Sequence, residues 1–270
     1  MRGIIVIPTY NERENIEKLV PDIFNQNLDL GITIVDDNSP DGTGEVADRL
    51  AELFPNVHVI HRRKKMGLGT AYAEGFRYAL GQKVDLIFEM DADFSHDPGY
   101  LPEFIEWSEK YDLVVGSRYM GGVRVEGWRF RRLLMSKLAN IYISFIMLLP
   151  LWDCTAGFRC YRREVLKSID LETLHSDGYS FQIEMTYRSF KNGFAIREIP
   201  VIFREREGGY SKIGRSDVRE AFFLVLKLHA PVREILKHFV YIKRDYREYV
   251  EEYYQRMEKR KGSREEANQE

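Results

Sequence analysis

Residues 85–93 read DLIFEMDAD: an apolar run that ends at Met90 and is followed at once by Asp91 and Asp93, with Ser95, His96 and Asp97 just behind. A run this short, rich in β-branched and aromatic residues and closed by polar ones, reads as a buried strand. Working outward, similar runs occur as GIIVIP at 3–8, ITIVDD at 32–37, VHVI at 57–60 and DLVVGSR at 112–118. Segments with helical spacing lie between them, at about 12–27, 43–54, 68–80 and 98–109. Strands alternating with helices predict an α/β fold with a mostly parallel sheet flanked by helices. Beyond 120 the pattern changes to a basic loop, an apolar helix, a Gly-rich stretch and one more strand at 195–206. This half is expected to pack on the first as one domain covering 1–232, followed by a charged, aromatic helical tail at 233–270. The last dozen residues of that tail, KRKGSREEANQE, carry almost no apolar side chain and are expected to be disordered.

The polar residues cluster where the apolar runs stop. Open α/β sheets bind ligands beyond the carboxyl ends of their strands, so Tyr10, Glu12, Asp36, Asp37, Asp91, Asp93 and Arg118 are expected to converge there. Asp91 and Asp93, two apart on a strand end, would share a side while Ala92 points away. Such a pair can hold one hard cation, Mg2+ or Mn2+, with substrate phosphates and water completing the shell. The same cluster also fits a solvated turn or a helix cap. VDDNSPDGT at 35–43 carries good turn chemistry at Pro40 and Gly42, which leaves two adjacent aspartates at the end of a buried strand unexplained. PTYNE at 8–12 could equally be a strand-to-helix turn capped by Asn11. The glycines of KKMGLGTAY at 64–72 do not form GxGxxG, which excludes a dinucleotide fingerprint; Gly67 and Gly69 read instead as points of close backbone approach.

Composition narrows the function classes. Forty basic and 42 acidic side chains nearly cancel, leaving a net charge of -2, so the overall charge predicts no nucleic-acid partner. Two cysteines, Cys154 and Cys160, fit neither a CxxC redox motif nor a common zinc spacing and read as reduced thiols of a cytosolic protein. No secretory signal precedes the first strand. The longest charge-free run, LANIYISFIMLLPLW at 138–152, has 15 residues, short of the roughly 20 a membrane-spanning helix needs. It reads either as a buried core helix or as one lying in the plane of a membrane.

Taken together, PTYNE at 8–12, VDDNSPDGT at 35–43, GLGT at 67–70, MDADFSHDP at 90–98, GSR at 116–118, GFRCY at 157–161, GYSFQ at 178–182 and FxxRxxGxSK at 203–212 resemble the dolichol-phosphate mannose synthases, which belong to the family-2 inverting glycosyltransferases. The resemblance runs in order from about residue 3 to 215. It implies a GT-A (Rossmann-like) nucleotide-diphospho-sugar transferase fold and transfer of mannose from GDP-mannose to dolichyl (polyprenyl) phosphate with inversion, on the cytoplasmic side of a membrane. It also implies roles for residues. Pro8, Tyr10, Glu12, Val35 and Asp37 would hold the nucleoside, with Asp91 and Ala92 beside it; Asp93, Asp91 and Ser95 would hold the metal on the diphosphate. Ser95 stands where many relatives carry Gln, so a water could intervene there. The chemistry of the side chains adds to this: Arg206 or Lys212 could stabilise the leaving diphosphate, and Arg118, Arg132 and Ser136 could form the acceptor-phosphate site, Arg supplying a planar fork and Ser a hydroxyl, while Arg131 and Arg132 read equally as a solvated helix start. Some relatives add C-terminal transmembrane helices and this chain does not, so attachment is expected to be peripheral or through an anchoring partner subunit. A lipid-phosphate glucosyltransferase using UDP-glucose, another acceptor, or a non-catalytic subunit on the same fold remain alternatives.

Overall fold

The computed structural model describes residues 1–174 and 178–205. In chain order the elements are β1 (Gly3–Thr9), α1 (Arg13–Phe24), β2 (Leu30–Asp36), α2 (Thr43–Leu53), β3 (Val57–His61), α3 (Leu68–Gly81), β4 (Leu86–Glu89), α4 (Leu101–Trp107), β5 (Leu113–Ser117), β6 (Val125–Glu126), α5 (Phe130–Met147), β7 (Arg159–Arg162), α6 (Arg163–Lys167), α7 (Gly178–Lys191), β8 (Ile196–Pro200) and β9 (Phe203–Arg204). Seven strands form one sheet in the order β3-β2-β1-β4-β7-β5-β8, and β6 and β9 form a small second one. All neighbours in the large sheet run parallel except β7, which lies antiparallel between β4 and β5.

Alternation along the strands fills both faces of the sheet, as a sheet covered by helices on each side requires. Ile5, Ile7 and Phe88 join the core with α1, α2 and α4 residues such as Leu19, Leu50 and Phe104. Ile4, Val6 and Ile87 face the other way, packing with Tyr72, Phe76 and Phe181 of α3 and α7. At about 1.5–3 kcal/mol per fully buried large apolar side chain, these two layers supply the main driving force for the fold.

The five strands expected from the sequence lie where they were read, within a few residues, and the helices between them follow. Four differences matter. Strand β4 stops at Glu89, so Asp91 and Asp93 sit in the turn beyond the strand and not in its pleat. The span 195–206 holds two strands, β8 and β9, in different sheets. Strand β7, sequence RCYR, and helix α7 were not anticipated at all. The apolar helix begins earlier than its charge-free run, at Phe130, and ends where Leu148 adopts a left-handed φ of 55° ahead of Pro150. The domain boundary at 232, the tail at 233–270, Arg206 and Lys212 lie outside the described residues.

Because β7 runs against its neighbours, its first residue pairs with the last of β4 and with the middle of β5. Arg159 stands opposite Glu89 and Val115. The loop before β7 is thereby delivered to the carboxyl-terminal edge of the sheet, alongside the turns that follow β1, β2 and β4.

Helix α3 approaches the sheet at Gly75, where an added Cβ would lie 2.3 Å from Val6 Cγ1 and 3.3 Å from Val35 Cγ2. Gly75→Ala should therefore destabilise the protein by about 1–3 kcal/mol through overpacking, although alanine is the better helix former by about 1 kcal/mol. Denaturant unfolding checks this, and pairing the change with Val6→Ala should restore part of the loss.

Candidate active site

Two loops are tied together at the ends of β1 and β2. Pro8 lies opposite Val35 in the ladder, and the pairing continues as Asp37 N–H donates to Thr9 O at 3.1 Å. The Asn11 amide donates to Ser39 Oγ at 3.0 Å and the Glu12 amide to Thr43 Oγ1 at 3.0 Å. Asn11 itself takes a left-handed φ of 59° and makes no side-chain cap; the residue at the cap position of α1 is Glu12. The adjacent aspartates divide their tasks. Asp36 accepts from Thr9 Oγ1 and Ser39 Oγ and is part of the turn. Asp37 pairs with Arg62 Nη1 at 2.7 Å. Burial raises the Asp37 carboxyl above its ordinary value, with Arg62 opposing. Arg62, absent from the sequence reading, also reaches Thr70 Oγ1 at 2.6 Å and Glu74 at 3.2 Å, clamping the GLGT turn to the end of β2. Gly67 opens α3 with a φ of 99°, a conformation only glycine adopts easily. Lys65 lies 4.0 Å over the Tyr10 ring.

The DAD turn lies next to this edge. Tyr72 donates to Asp91 Oδ1 at 3.0 Å, and the Asp91 amide donates to His96 Nδ1 at 2.9 Å. Asp91 keeps 24% of its side chain exposed, whereas Asp93 and Ala92 are buried. Asp93 Oδ1 accepts from the Ser95 amide at 3.1 Å and from Ser95 Oγ at 2.5 Å. Phe94 between them has a left-handed φ of 59°. The two carboxylates therefore do not share a pleat face; a tight turn presents them. Among the described residues, no group of three or more His, Cys, Asp and Glu side chains is placed to hold a metal ion.

Beyond the end of β5, and linked to the DAD turn through Phe203, which packs on both His96 and Trp128, is a basic and aromatic wall. It brings together the three residues expected to hold the acceptor phosphate. Arg118 and Arg132 lie 5.4 and 3.9 Å from the Trp128 ring, Arg118 lies 5.5 Å from Tyr119, and Tyr119 donates to Ser136 Oγ at 2.7 Å. Neither arginine is idle. Arg132 pairs with Glu205 at 2.8 Å. The Arg118 fork, expected to grip a phosphate, is buried and spent on Asp153: Nε to Oδ2 at 2.7 Å and Nη2 to Oδ1 at 2.6 Å, with Thr155 Oγ1 at 2.7 Å from Nη2. Burial would raise the Asp153 carboxyl, but the Arg118 guanidinium outweighs it and holds that carboxyl below its ordinary value.

Asp153 belongs to the loop before β7. Glu198 on β8 receives the Trp152 and Asp153 amides, both at 2.8 Å. Arg159, wholly buried, donates to the carbonyls of Cys154, Ala156 and Gln182 and to Thr186 Oγ1. Cys154 and Cys160 are both buried and free. Asp153, Glu198 and Arg159 escaped the sequence reading because the strand and helix that place them were not foreseen; an aspartate closing the longest apolar run was the available signal.

A seven-stranded sheet with one reversed strand, bearing acidic turns at the ends of β1, β2 and β4, defines a GT-A glycosyltransferase. The chain belongs to glycosyltransferase family 2, whose model (Glycosyl transferase family 2) matches residues 4–170. It is 47% identical to the polyprenol monophosphomannose synthase of Mycolicibacterium smegmatis, across 83% of this chain and 85% of that one. It is 43% identical to the undecaprenyl-phosphate mannosyltransferase of Micrococcus luteus, across 82% and 91%. Among solved structures, glucosyl-3-phosphoglycerate synthase of Mycobacterium tuberculosis superposes with a TM-score of 0.63 at 17% identity, covering 84% of this chain and 80% of that one. Mannosyl-3-phosphoglycerate synthase of Rubrobacter xylanophilus gives 0.59 at 19%, covering 84% and 72%.

Burial pushes the Glu198 carboxyl up to about 7 against the amides it accepts, and the neighbouring Asp153 charge adds to the rise. Cys154 and Arg118, through Asp153, are the other ionisable groups at this spot. A carboxyl raised in the folded state holds a proton that the unfolded chain releases, so its contribution to stability falls as pH rises from about 4.5 through about 7. Glu198→Gln should flatten that part of the pH profile of unfolding free energy, by up to about 3 kcal/mol. Identical slopes in both proteins would remove Glu198 from the account.

Proposed function

We propose that this chain transfers mannose from GDP-mannose to a polyprenyl (dolichyl) phosphate with inversion, at the cytoplasmic surface of a membrane. The two named relatives, a polyprenol monophosphomannose synthase and an undecaprenyl-phosphate mannosyltransferase, support the sugar and the lipid-phosphate class. The observation that carries the reading is the gathering of Arg118, Arg132 and Ser136 around Tyr119 and Trp128 at the start of α5, a helix whose outward face is apolar. A phosphate held there would have its lipid chain beside that face.

On the donor side, Pro8, Tyr10, Glu12, Val35 and Asp37 line the loops at the ends of β1 and β2, with Asp91 and Ala92 next to them. Asp91 and Asp93, with Ser95, offer only oxygen donors, the set that suits Mg2+ or Mn2+. With no third carboxylate, His or Cys joining them among the described residues, diphosphate oxygens and water are left to complete the shell, a common arrangement for Mg2+. A glucosyl-3-phosphoglycerate synthase of the same fold was crystallised with Mn2+ and UDP, which supports use of a divalent ion. When bound, such an ion offsets charge on the departing diphosphate; Arg206 and Lys212 are assigned the same task from the sequence.

The acceptor oxygen is already anionic at neutral pH, so the chain needs to orient it and not to deprotonate it. That oxygen bonds to the anomeric carbon on the face opposite the leaving GDP. Arg132 and Ser136 are the direct phosphate ligands in this reading. Arg118, locked to Asp153, lends its charge from behind Tyr119 and Trp128.

Transfer of radiolabelled sugar to a short polyprenyl phosphate, compared between GDP-mannose and UDP-glucose, tests the proposal; a preference for UDP-glucose would overturn the donor. Arg132→Ala should raise the KM for the lipid phosphate about tenfold or more, the worth of a charged hydrogen bond, and leave GDP-mannose affinity unchanged by calorimetry.

Phe130, Leu134, Leu138, Ile141 and Phe145 follow one another at three- and four-residue intervals on α5 and are all exposed, Phe130 at 74% and Ile141 at 56%. Arg129, Arg131 and Lys137 beside them are exposed cations. No helix among the described residues is long and apolar enough to cross a membrane. This combination fits in-plane burial against anionic headgroups. Ile141→Glu should lower binding to liposomes containing anionic lipid by about tenfold or more, from the lost apolar burial, and high salt should weaken the native protein's binding. Resistance to both salt and alkaline carbonate would refute peripheral attachment, and absence of binding under every condition would assign it to a partner subunit.

A further inference from the structure

The DAD turn is pinned from inside the protein by His96, a residue with no assigned contact to either substrate or to the metal. The side chain is 4% exposed. Its ring stacks on Phe158 at 5.0 Å with 13° between the planes, and Phe158 packs on Phe104 at 4.4 Å in the core. Its Nδ1 accepts the Asp91 amide at 2.9 Å. A ring nitrogen that accepts an N–H carries no proton of its own, which puts the proton of a neutral imidazole on Nε2. That nitrogen lies 4.0 Å from Asp91 Oδ2. The peptide after Met90 is therefore held through an unbroken line of contacts: Phe104, Phe158, His96, then the Asp91 backbone.

The turn needs such a hold. Phe94 has a left-handed φ of 59°, an arrangement that a bulky residue keeps only where the surroundings enforce it. Ser95 fixes the turn on one side, through Asp93. His96 fixes it on the other, five residues from the amide it receives. Gly157 closes the space from above, where an added Cβ would lie 3.4 Å from His96 Cε1 and 3.8 Å from Asp91 Oδ2.

We propose that His96 is a positioning residue for the donor site: as the Nε2–H tautomer it captures the Asp91 amide and fixes the 91–96 turn in the form that leaves the Asp91 carboxylate partly exposed between Tyr72 and Gly157. The inference rests on the assignment of Asp91 and Asp93 to the metal and diphosphate. Groups that orient metal ligands without touching the ion are worth about 10–100-fold in affinity.

Two measurements test it. Nitrogen-15 NMR of the histidine side chains in the metal-free native protein at pH 7.5, with the His96 signal identified by its loss in a variant, should show the proton on Nε2; a proton on Nδ1 overturns the proposal. The second uses His96→Asn, whose Oδ1 stands where Nδ1 stood, beside His96→Gln and His96→Ala, which leave the Asp91 amide without that acceptor. All three lose the stack on Phe158, and Gln is as polar as Asn and no smaller, so the difference between Asn and Gln reports the acceptor, with Ala as the full truncation. With GDP present and free Mn2+ followed by electron paramagnetic resonance, Asn should stay within about threefold of the native affinity while Gln and Ala fall by about tenfold or more. Equal losses in all three, or native affinity in the Gln and Ala variants, overturn it. Should the variants fail to fold by circular dichroism, the tautomer of the native protein decides alone. A native protein that binds no Mn2+ but shows the Nε2–H tautomer would instead locate the failure in the metal assignment.

Discussion

Arg159 carries a charge with none of its surface exposed to water, and the loop in front of it takes its shape from that constraint. An unsatisfied buried cation costs several kcal/mol, so each donor must find an acceptor. Here the acceptors are mostly main-chain carbonyls, those of Cys154 and Ala156 in the loop and of Gln182 in α7. The guanidinium thus ties one end of β7 to the loop and to the helix at once. Glu89, opposite it in the ladder, is also buried, and burial pushes its carboxyl up to about 7 despite Arg159 and the Tyr161 hydroxyl it accepts. Removing the arginine would leave Glu89 without its nearby cation and take from the Cys154 and Ala156 carbonyls the guanidinium they accept from.

From that anchor the loop reaches both the basic wall and the DAD turn. Asp153, at one end, receives the Arg118 fork and through it orders the basic wall. Gly157 and Phe158, at the other, lie against His96 and the DAD turn. The proposed donor and acceptor sides are thus joined through the six residues from Asp153 to Phe158. The α5 helix enters the same network by Asn140, which donates to Thr155 Oγ1 at 3.2 Å and to the Ser136 carbonyl at 3.0 Å.

The parallel part of the sheet was legible because its strands are apolar runs with polar residues at one end, and burial on both faces demands that composition. The loops at the ends of β1 and β2 were legible for a similar reason, since turn residues mark them. Strand β7 was not legible. Its sequence, RCYR, offers two apolar side chains between arginines, and only the tertiary contacts of Arg159 make such a strand tolerable in the middle of a sheet. Missing β7 meant missing what it places: Asp153 was assigned no role, and the fork of Arg118 looked available for a phosphate. Arg62 was overlooked because an arginine after a strand looks like any solvated one until Asp37 is found beside it. The DAD motif was found, but its geometry was misjudged, because the strand ends two residues before Asp91.

The chemistry proposed for this site brings two anions together, a lipid phosphate and a nucleoside diphosphate, and their mutual repulsion is the problem the fold has to solve. Two unit charges 4 Å apart repel by about 4 kcal/mol at an effective dielectric constant near 20. A crevice lined only by Asp37, Asp91 and Asp93 would add to that repulsion. Flexible lysines could offset it, but ordering them at each turnover would cost side-chain entropy. In this protein the cations are fixed in advance. Arg118 is held by a buried carboxylate, Arg132 is stacked on Trp128, and Arg62 neutralises Asp37 at the donor edge. Donors already oriented need no reorganisation when charge develops, which is where electrostatic stabilisation of a transition state is most effective. The carboxylate partners that pre-orient these arginines also moderate their charge. The Arg132–Glu205 pair, unlike the Arg118–Asp153 pair, is partly exposed on both sides, so it is the one whose carboxylate an incoming phosphate can replace at small cost.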